Sequence, residues 1–367
     1  MCGIAGIFNL AGEKAISEEA LRRMLSSIKH RGPDEFGLYS DTRVGLGHAR
    51  LSIIDLSGGH QPMCNEDSTV WITFNGEIFN YVELRADLIA RGHKFRTQSD
   101  TEVIIHLYED HGHACLDYLN GQFAFAIWDK KKKEMFLARD RMGIRPLFYA
   151  TAGGRFYFAS EIKAIFAAGA VERKMDGAAL DEIFTLWCTV PPRTAFAGVS
   201  ELAPAHYLVL KDGIVAERPY WALSFPQEPE RISFEDSVEE LRRLLIDSTR
   251  LRLRADVPVG AYLSGGLDSS VTTALIRNFT NAPLQTFSIA FDDADYDESS
   301  YQKEMAKALG TEHNEIRCTY DDISRSFPDV IWHTEKPVLR TAPTPLLLLS
   351  GLVRESGFKV VMTGEGA

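Results

Sequence analysis

The residues VGAYLSGGLDSS at positions 259–270 specify the architecture of the second half of the chain. Val259–Leu263 is a short apolar run, which predicts a buried strand. Two glycines follow the run, and Ser269–Asn278 then shows the spacing of a helix. A buried strand that turns through glycines directly into a helix is typical of a βα unit in a parallel sheet.

The flanking segments repeat this alternation of helix and strand. Ser233 is a good N-cap for a helix over Phe234–Leu253, and acidic residues in the first turn favour the same helix start. The other predicted elements are a strand, a helix and a strand, at Leu284–Phe291, Ser299–Leu309 and Lys359–Met362. We therefore expect a doubly wound α/β domain with a parallel sheet, incomplete where the chain stops.

The first half of the chain has many short strands and few long helices. Helical spacing is clear in Glu18–Lys29, for which Ser17 is an N-cap candidate, and in Tyr81–Arg91. We expect an α+β domain over residues 1–222, a linker at 223–232 where two prolines interrupt a polar segment, and a second domain over 233–367. The strands predicted in the first domain are Gly3–Leu10, Val44–Leu51, Thr69–Phe74, Phe123–Asp129, Glu134–Ala138, Pro146–Ala150, Phe156–Ser160 and Tyr207–Lys211.

Composition restricts the classes of function. With 367 residues, 45% of them hydrophobic, and a formal charge of −11, the chain is typical of a globular protein without a nucleic-acid or membrane-surface partner. No apolar run approaches the ~20 residues that span a bilayer, and the N-terminus lacks the pattern of a signal peptide. Five cysteines without a CxxC pair indicate a reducing, cytoplasmic location. We expect Cys115 and Cys188 to lie in the core.

Cys2 is the first candidate for chemistry. A small second residue allows methionine aminopeptidase to remove Met1, which would leave a thiol and a free α-amine on the same residue. Because an α-amine has a pKa of about 7.7–8.0, a fraction of it can accept a proton at pH 7. A nucleophile that carries its own base is a known form of activated nucleophile. Cys2 taken alone could equally be the buried start of an edge strand.

The loop after Val259–Leu263 is the second candidate. Gly265 and Gly266 let the backbone approach an anion closely, and the hydroxyls and helix N-terminal amides supply donors. The loop is not a P-loop, because no Gly-Lys-Ser/Thr ends it. A plain glycine-rich βα turn is the alternative.

The segment SGGLDSS resembles the pyrophosphate loop of ATP pyrophosphatases, which cleave ATP between its α and β phosphates. The charge of ATP implies Mg²⁺, whose ligands the sequence leaves open. The resemblance implies that the departing pyrophosphate lies among Ser264, Gly265, Gly266, Asp268, Ser269 and Ser270.

Six motifs of the first half resemble, in order, those of class II glutamine amidotransferases with an N-terminal nucleophile. They are CGI at 2–4, HRGPD at 30–34, RLSI at 50–53, NGE at 75–77, SDTE at 99–102 and RDRMG at 139–143. The resemblance implies a four-layered α/β/β/α sandwich of antiparallel sheets. It also implies that Cys2 attacks the glutamine amide and forms a γ-glutamyl thioester, while the Asn75 side chain and the Gly76 N–H form an oxyanion hole.

The same resemblance implies a glutamine pocket. Arg50 would pair with the α-carboxylate, where its planar fork suits a bidentate contact, and Asp100 and Glu77 would hold the α-ammonium. Singly, each motif has a simpler interpretation, since Arg50 could be a surface arginine and Asn75-Gly76 a hairpin turn. The remaining pocket residues would be Leu51, Ser52, Ile53 and Ile54.

The two halves together resemble glutamine-hydrolysing asparagine synthetases. This implies that ATP adenylates the β-carboxylate of aspartate, and that ammonia channelled from the first site attacks β-aspartyl-AMP to give asparagine, AMP and pyrophosphate. Leu263 and Ile289 would contact the nucleotide, and Glu365, after Thr363 and Gly364 near the intermediate, would be the base or organiser of ammonia attack. The expected ligands are glutamine, aspartate and ATP, and the assembly is compatible with a homodimer.

Two features depart from this family. The chain stops at Ala367, so we expect a piece of a longer protein that does not make asparagine by itself. Arg340 is a candidate for binding the acceptor carboxylate, but the threonines that often precede it in the family are absent from 337–339. The acceptor could therefore be another carboxylate, in a peptide or a β-lactam precursor. A glutaminase-only fragment and a non-catalytic scaffold are the further alternatives.

Overall fold

The computed structural model describes residues 1–225, 227, 232–280 and 283–364. It contains two compact units, Met1–Ser224 and Phe225–Ala367. Half of the predicted linker lies outside the described residues, so the linker at 223–232 and the domain bounds beside it stay predictions.

Residues 1–224, all of which the structure describes, form two antiparallel sheets. The strand orders are β10-β8-β9-β1-β3-β2 and β12-β11-β7-β6-β5-β4. The strands are β1 (Gly3–Asn9), β2 (Glu35–Ser40), β3 (Val44–Arg50), β4 (Met63–Cys64), β5 (Val70–Ile78), β6 (Gly121–Asp129), β7 (Glu134–Arg139), β8 (Phe148–Ala152), β9 (Arg155–Ala159), β10 (Ser200–Glu201), β11 (His206–Lys211) and β12 (Ile214–Pro219).

The first unit also contains five α-helices and two short 3₁₀ turns. They are α1 (Glu18–Ser27), α2 (Tyr81–Ala90), α3 (Asp100–His111), α4 (Ile162–Ala167) and α5 (Gly177–Leu186), with short 3₁₀ turns at Lys29–Arg31 and Gly112–Tyr118. One apolar core joins α1 and α4 to the first sheet, and another joins α3 to the second sheet. A third core lies between the sheets and includes Ile4, Phe8 and Leu137. These layers confirm the predicted α/β/β/α sandwich.

Strand β1 lies inside the first sheet and positions Cys2. All seven of its residues are buried. A Cβ on Gly6 would lie 2.3 Å from the ring of Phe158, so the close approach of that ring requires glycine there. Cys2 immediately precedes this rigid strand.

Several details differ from the sequence predictions. The hydroxyl of Ser17 accepts from the backbone N–H of Ala20, which confirms the cap of α1. The interpretation of Asn75-Gly76 as a hairpin turn is wrong, because both residues lie within β5 and pair with β6. Cys115 is buried as expected, but Cys188 is exposed, so its prediction as a core residue is wrong.

The second unit contains a parallel sheet among its described residues, with the order β15-β14-β13-β16. Its strands are β13 (Val259–Tyr262), β14 (Gln285–Phe291), β15 (Glu312–Cys318) and β16 (Val360–Met362). Its helices are α6 (Phe234–Arg252), α7 (Leu267–Phe279), α8 (Ser299–Leu309), α9 (Tyr320–Thr334) and α10 (Pro343–Glu355). The parallel sheet confirms the predicted α/β class. Among the described residues, none of the helices has the length and apolar character needed to cross a membrane.

The strand order places a ligand crevice at one end of this sheet. From β13 the chain moves to β14 and β15 on one side, whereas β16 lies on the other side. The residues that follow β13 and β16 therefore lie at the carboxyl ends of two neighbouring strands, where the strand order reverses. In open α/β sheets, ligands bind at such a switch point.

Candidate functional site

The thiol of Cys2 faces the loop that follows β3. Its Sγ lies 3.4 Å from the backbone N of Leu51 and 3.6 Å from the carbonyl oxygen of Leu51. Arg31 donates to the Cys2 carbonyl from Nε at 3.0 Å, and its Nη1 lies 3.0 Å from Glu161 Oε1. Burial raises the pKa of the Cys2 thiol. The thiol is therefore protonated at neutral pH and needs a base nearby to act as a nucleophile.

Met1 lies in the same cleft as the thiol. Its side chain contacts the guanidinium of Arg145. Burial lowers the pKa of the N-terminal amine to about 5. An amine at this position is largely neutral at pH 7, which is the protonation state that accepts a proton. Removal of Met1 would transfer this role to the amine of Cys2 itself.

A cleft beside Cys2 brings together most of the residues predicted for glutamine. Ser52 is the exception, because it does not line the cleft and its backbone N–H donates to Asp34 Oδ2 at 2.8 Å. The predicted residues that line the cleft are Cys2, Arg50, Leu51, Ile53, Ile54, Asn75, Gly76, Glu77 and Asp100.

Asn75 presents a buried donor without a partner. The residue is 1% exposed, and its Nδ2 has no hydrogen-bond partner among the described residues. A buried unpaired amide is costly, and native proteins keep such groups mainly where a ligand or function uses them. At the neighbouring position, a Cβ on Gly76 would lie 2.1 Å from the Gln122 carbonyl oxygen, so only glycine fits against β6.

Arg50 is held rigidly, which argues against the surface-arginine interpretation. It is 4% exposed, its Nη2 donates to the carbonyl of Asp55 at 2.6 Å, and its Nη1 lies 3.0 Å from Glu35 Oε2. The guanidinium therefore faces the cleft in one fixed orientation. Its remaining charge suits an anionic group such as an α-carboxylate.

Asp100 supplies the opposite charge at the start of α3. Burial raises its pKa to about 6, although the backbone N–H of Ile78 donates to Oδ2 at 2.9 Å and favours the ionised form. At pH 7 the carboxylate is mostly ionised and incompletely neutralised. It therefore suits an ammonium group, and the same cleft contains a fixed cation, Arg50, and a fixed anion, Asp100.

Arg145 also lines the cleft, although the sequence motifs do not include it. Its Nε is buried without a hydrogen-bond partner among the described residues, and burial lowers its guanidinium pKa. Asp140 positions this arginine, because its carboxylate accepts from the backbone N–H groups of Arg145, Ile144 and Met142. The recognised motif at 139–143 stops two residues before Arg145, and an extension of it would have identified the residue.

A second cavity lies at the carboxyl ends of β13, β14 and β16. Among the residues predicted to bind ATP, those that line it are Leu263, Ser264, Asp268, Ser269, Ile289, Thr363 and Gly364. The Oγ atoms of Ser264 and Ser269 lie 2.9 Å apart, and Ser270 Oγ is buried without a hydrogen-bond partner among the described residues. Gly266 caps α7 without a side-chain hydrogen bond, which leaves the first amides of the helix available to an anion.

The other predicted residues of this half lie apart from that cavity or outside the description. Gly265 and Gly266 lie in the loop and Ser270 lies in the first turn of α7, and none of the three lines the cavity. Gly265 has φ +83°, a conformation that favours glycine. Arg340 lines a neighbouring cavity. Phe291 and Tyr296 line both this cavity and the one at the carboxyl ends of β13, β14 and β16. Glu365 lies outside the described residues, and its role stays a prediction.

Comparison with known proteins covers both units. Residues 1–221 match the family model of the glutamine amidotransferase domain, and residues 240–367 match that of asparagine synthase. Two glutamine-hydrolysing asparagine synthetases of Bacillus subtilis (strain 168), numbered 1 and 3, are each 37% identical over the whole chain, which covers 58% and 62% of their lengths. A putative asparagine synthetase 2 of Methanocaldococcus jannaschii is 35% identical, and the chain covers 74% of it. The chain thus spans about three-fifths of the length of the first two relatives.

Proposed function

The chain belongs to the family of glutamine-hydrolysing asparagine synthetases, and from this membership we propose that its first unit releases ammonia from glutamine for amide synthesis. The unpaired Nδ2 of Asn75, which lines the cleft of Cys2, is the observation that carries the proposal. A tetrahedral intermediate bears a full negative charge on oxygen and needs such a donor. Within the described residues, no acceptor forms a hydrogen bond with Asn75 Nδ2.

The reaction in the first unit begins after Met1 is removed. The α-amine of Cys2 takes the thiol proton, and Sγ attacks the side-chain amide carbon of glutamine. The oxyanion forms against Asn75 Nδ2 and the Gly76 N–H. The α-ammonium then returns its proton to the amide nitrogen, and collapse of the intermediate expels ammonia and leaves a γ-glutamyl thioester. Water then hydrolyses the thioester to glutamate and regenerates the thiol. Arg50 and Asp100 hold the α-carboxylate and α-ammonium during both steps.

The second unit would activate the acceptor. In this step the aspartate β-carboxylate attacks the α-phosphorus of ATP, pyrophosphate leaves, and ammonia then displaces AMP from β-aspartyl-AMP to form asparagine. The loop at 264–266 and the first turn of α7 would hold the pyrophosphate at the N-terminus of this helix. Asp268 and Glu298 line the cavity with serine hydroxyls, so the available donors are the oxygen ligands that Mg²⁺ prefers. Mg²⁺ supplies neutralisation of the phosphate charge when it is bound.

The proposal is tested with the full-length protein that carries this chain. Purified protein is incubated with ATP, Mg²⁺ and glutamine, with and without aspartate, and AMP, glutamate and asparagine are measured. We expect AMP to form only when aspartate is present, and asparagine to form in equal amount. AMP formation that ignores aspartate would identify a different acceptor. Absence of glutamate release would reject the function proposed for the first unit.

The pKa of Asp100 predicts a pH dependence of glutamine use. Because burial raises this pKa to about 6, the carboxyl becomes neutral below pH 6 and loses its attraction for the α-ammonium. We expect kcat/KM for glutamine to fall about tenfold per pH unit below that value. Initial rates of glutamate release between pH 4.5 and 8 measure the profile.

The matched variants are Asp100→Asn and Asp87→Asn. Asp100→Asn should raise KM and remove the acidic limb, whereas Asp87→Asn changes an exposed carboxylate on α2 and should keep the wild-type profile. An acidic limb that is unchanged in Asp100→Asn would assign the titration to another group.

A further inference from the structure

Three metal-ligating side chains converge at the corner between α2 and α3. The Nδ1 atoms of His93 and His106 lie 3.1 Å apart. Glu109 Oε2 lies 2.8 Å from Nδ1 of His106 and 3.7 Å from Nδ1 of His93. A tetrahedral ion with bonds of about 2.0–2.1 Å separates its ligand atoms by about 3.3 Å, and the three distances bracket that value.

The backbone fixes all three side chains in this arrangement. His106 and Glu109 are three residues apart on α3 and therefore share one face. His93 follows the end of α2, where its N–H donates to the Leu88 carbonyl and the Gly92 N–H donates to the Ile89 carbonyl. This pair of bonds is a Schellman motif, and Gly92 adopts its left-handed conformation with φ +104°. The imidazole of His93 is thus placed by a rigid helix end.

Carboxylates lie behind both imidazoles. Nε2 of His93 lies 2.9 Å from Asp110 Oδ1, and Nε2 of His106 lies 3.8 Å from Glu102 Oε1. The other oxygen of Glu109 accepts from Asn65 Nδ2 at 2.7 Å. Metal-binding histidines typically donate their second ring N–H to a carboxylate, which orients the ring and makes the ligating nitrogen more basic. His93 has this outer arrangement through Asp110, whereas Nε2 of His106 makes no hydrogen bond among the described residues and only lies near Glu102.

Without an ion, no arrangement of protons gives each of the three facing atoms a good hydrogen bond. If His106 Nδ1 carries a proton, that proton must serve both Glu109 and His93. If His93 Nδ1 donates to His106, a lone pair of His106 faces the Glu109 carboxylate at 2.8 Å. A cation accepts all three lone pairs at once.

We propose that His93, His106 and Glu109 bind a divalent transition-metal ion of the Zn²⁺ type. Two imidazole nitrogens and one carboxylate oxygen form a ligand set that Zn²⁺ uses, with a fourth position for water. The side chains of His93 and Glu109 are 16% and 25% exposed, so an ion can enter from solvent. The ion would join the end of α2 to α3, whose first residue is Asp100 of the glutamine cleft.

The experiment measures Zn²⁺ binding to the chain after alkylation of its thiols. Competition with a metal indicator gives stoichiometry and affinity, and Co²⁺ reports coordination through its visible absorption. We expect one Zn²⁺ per chain and a four-coordinate Co²⁺ spectrum. Glu109→Gln keeps the contact to Asn65 and should weaken binding at least tenfold, His93→Asn should weaken it more, and Asp110→Asn should weaken it by about 10- to 100-fold.

The matched control is His111→Gln on the same helix, which should bind as the wild type does. Circular dichroism and urea unfolding check that each variant is folded. Unchanged affinity in both Glu109→Gln and His93→Asn, or absence of stoichiometric binding in the wild type, would overturn the proposal. Failure of glutamine hydrolysis would leave this site unaffected, because the two measurements are independent.

Discussion

Replacing Cys2 by alanine is expected to reduce glutamine hydrolysis to background. The variant keeps the α-amine, Arg50, Asp100 and the oxyanion donors but has no atom that can form the thioester. Loss of a covalent nucleophile commonly costs about 10⁴-fold or more, because the other groups of the site act only through it. Glutamate release from glutamine measures the loss. Any ammonia-dependent synthesis by the full-length variant should persist, since that reaction bypasses the thioester.

Cys188→Ala is the matched control, because it removes an exposed thiol outside the cleft. It should hydrolyse glutamine at the wild-type rate. Mass spectrometry of the wild-type chain should show a loss equal to one methionine residue at the N-terminus. Retained Met1 together with full activity would contradict the terminal-amine base. Substantial glutamate release by Cys2→Ala would contradict the nucleophile.

Short ordered motifs identified many of the residues that line the cleft beside Cys2, and the roles assigned to these residues stay predictions. Cys2, Arg50, Asn75 and Asp100 come from separate elements, yet all of them line one cleft. Local pattern alone assigned Asn75-Gly76 incorrectly, because its conformation depends on pairing with β6 some fifty residues later. Pairing between distant strands is not encoded in local propensity.

Burial explains why the sequence did not reveal helix α3 or the cluster beside it. Helix α3 is buried on nearly all sides over Asp100–Tyr108, so it has no alternation of polar and apolar faces to reveal it. The same burial hid the cluster of His93, His106 and Glu109, whose members lie up to sixteen positions apart in sequence. Conversely, cysteine is a residue type that is usually buried, but Cys188 is exposed. Residue type gives a probability of burial, and the packing of a segment determines it.

Both candidate sites contain buried polar atoms that have no hydrogen-bond partner among the described residues. Asn75 Nδ2 and Arg145 Nε lie at the cleft beside Cys2, and Ser270 Oγ lies in the first turn of α7. An unpaired buried donor costs about 1–3 kcal/mol in the folded protein. Two of the three side chains line the cleft beside Cys2, which supports a ligand that completes their hydrogen bonds. A donor that is already oriented and desolvated needs no reorganisation when charge develops on the substrate.

Asn75→Ala tests this argument directly. If Nδ2 stabilises the oxyanion, its removal should lower kcat for glutamate release by about 10²–10³-fold, equivalent to ~2.7–4 kcal/mol of transition-state stabilisation. KM should change little, because the ground-state amide oxygen gains less from the donor than the tetrahedral intermediate does. Steady-state kinetics of the chain separate the two parameters.

Asn120→Ala, which changes an exposed side chain at the turn before β6, is the matched control and should keep the wild-type kcat. Urea unfolding distinguishes loss of catalysis from loss of fold, and Asn75→Ala should remain folded because its amide nitrogen makes no hydrogen bond within the described structure. A large rise in KM with kcat unchanged would instead make Asn75 a binding residue. Cys2→Ala and Asn75→Ala should also be strongly non-additive, because an oxyanion donor has nothing to stabilise once the nucleophile is absent.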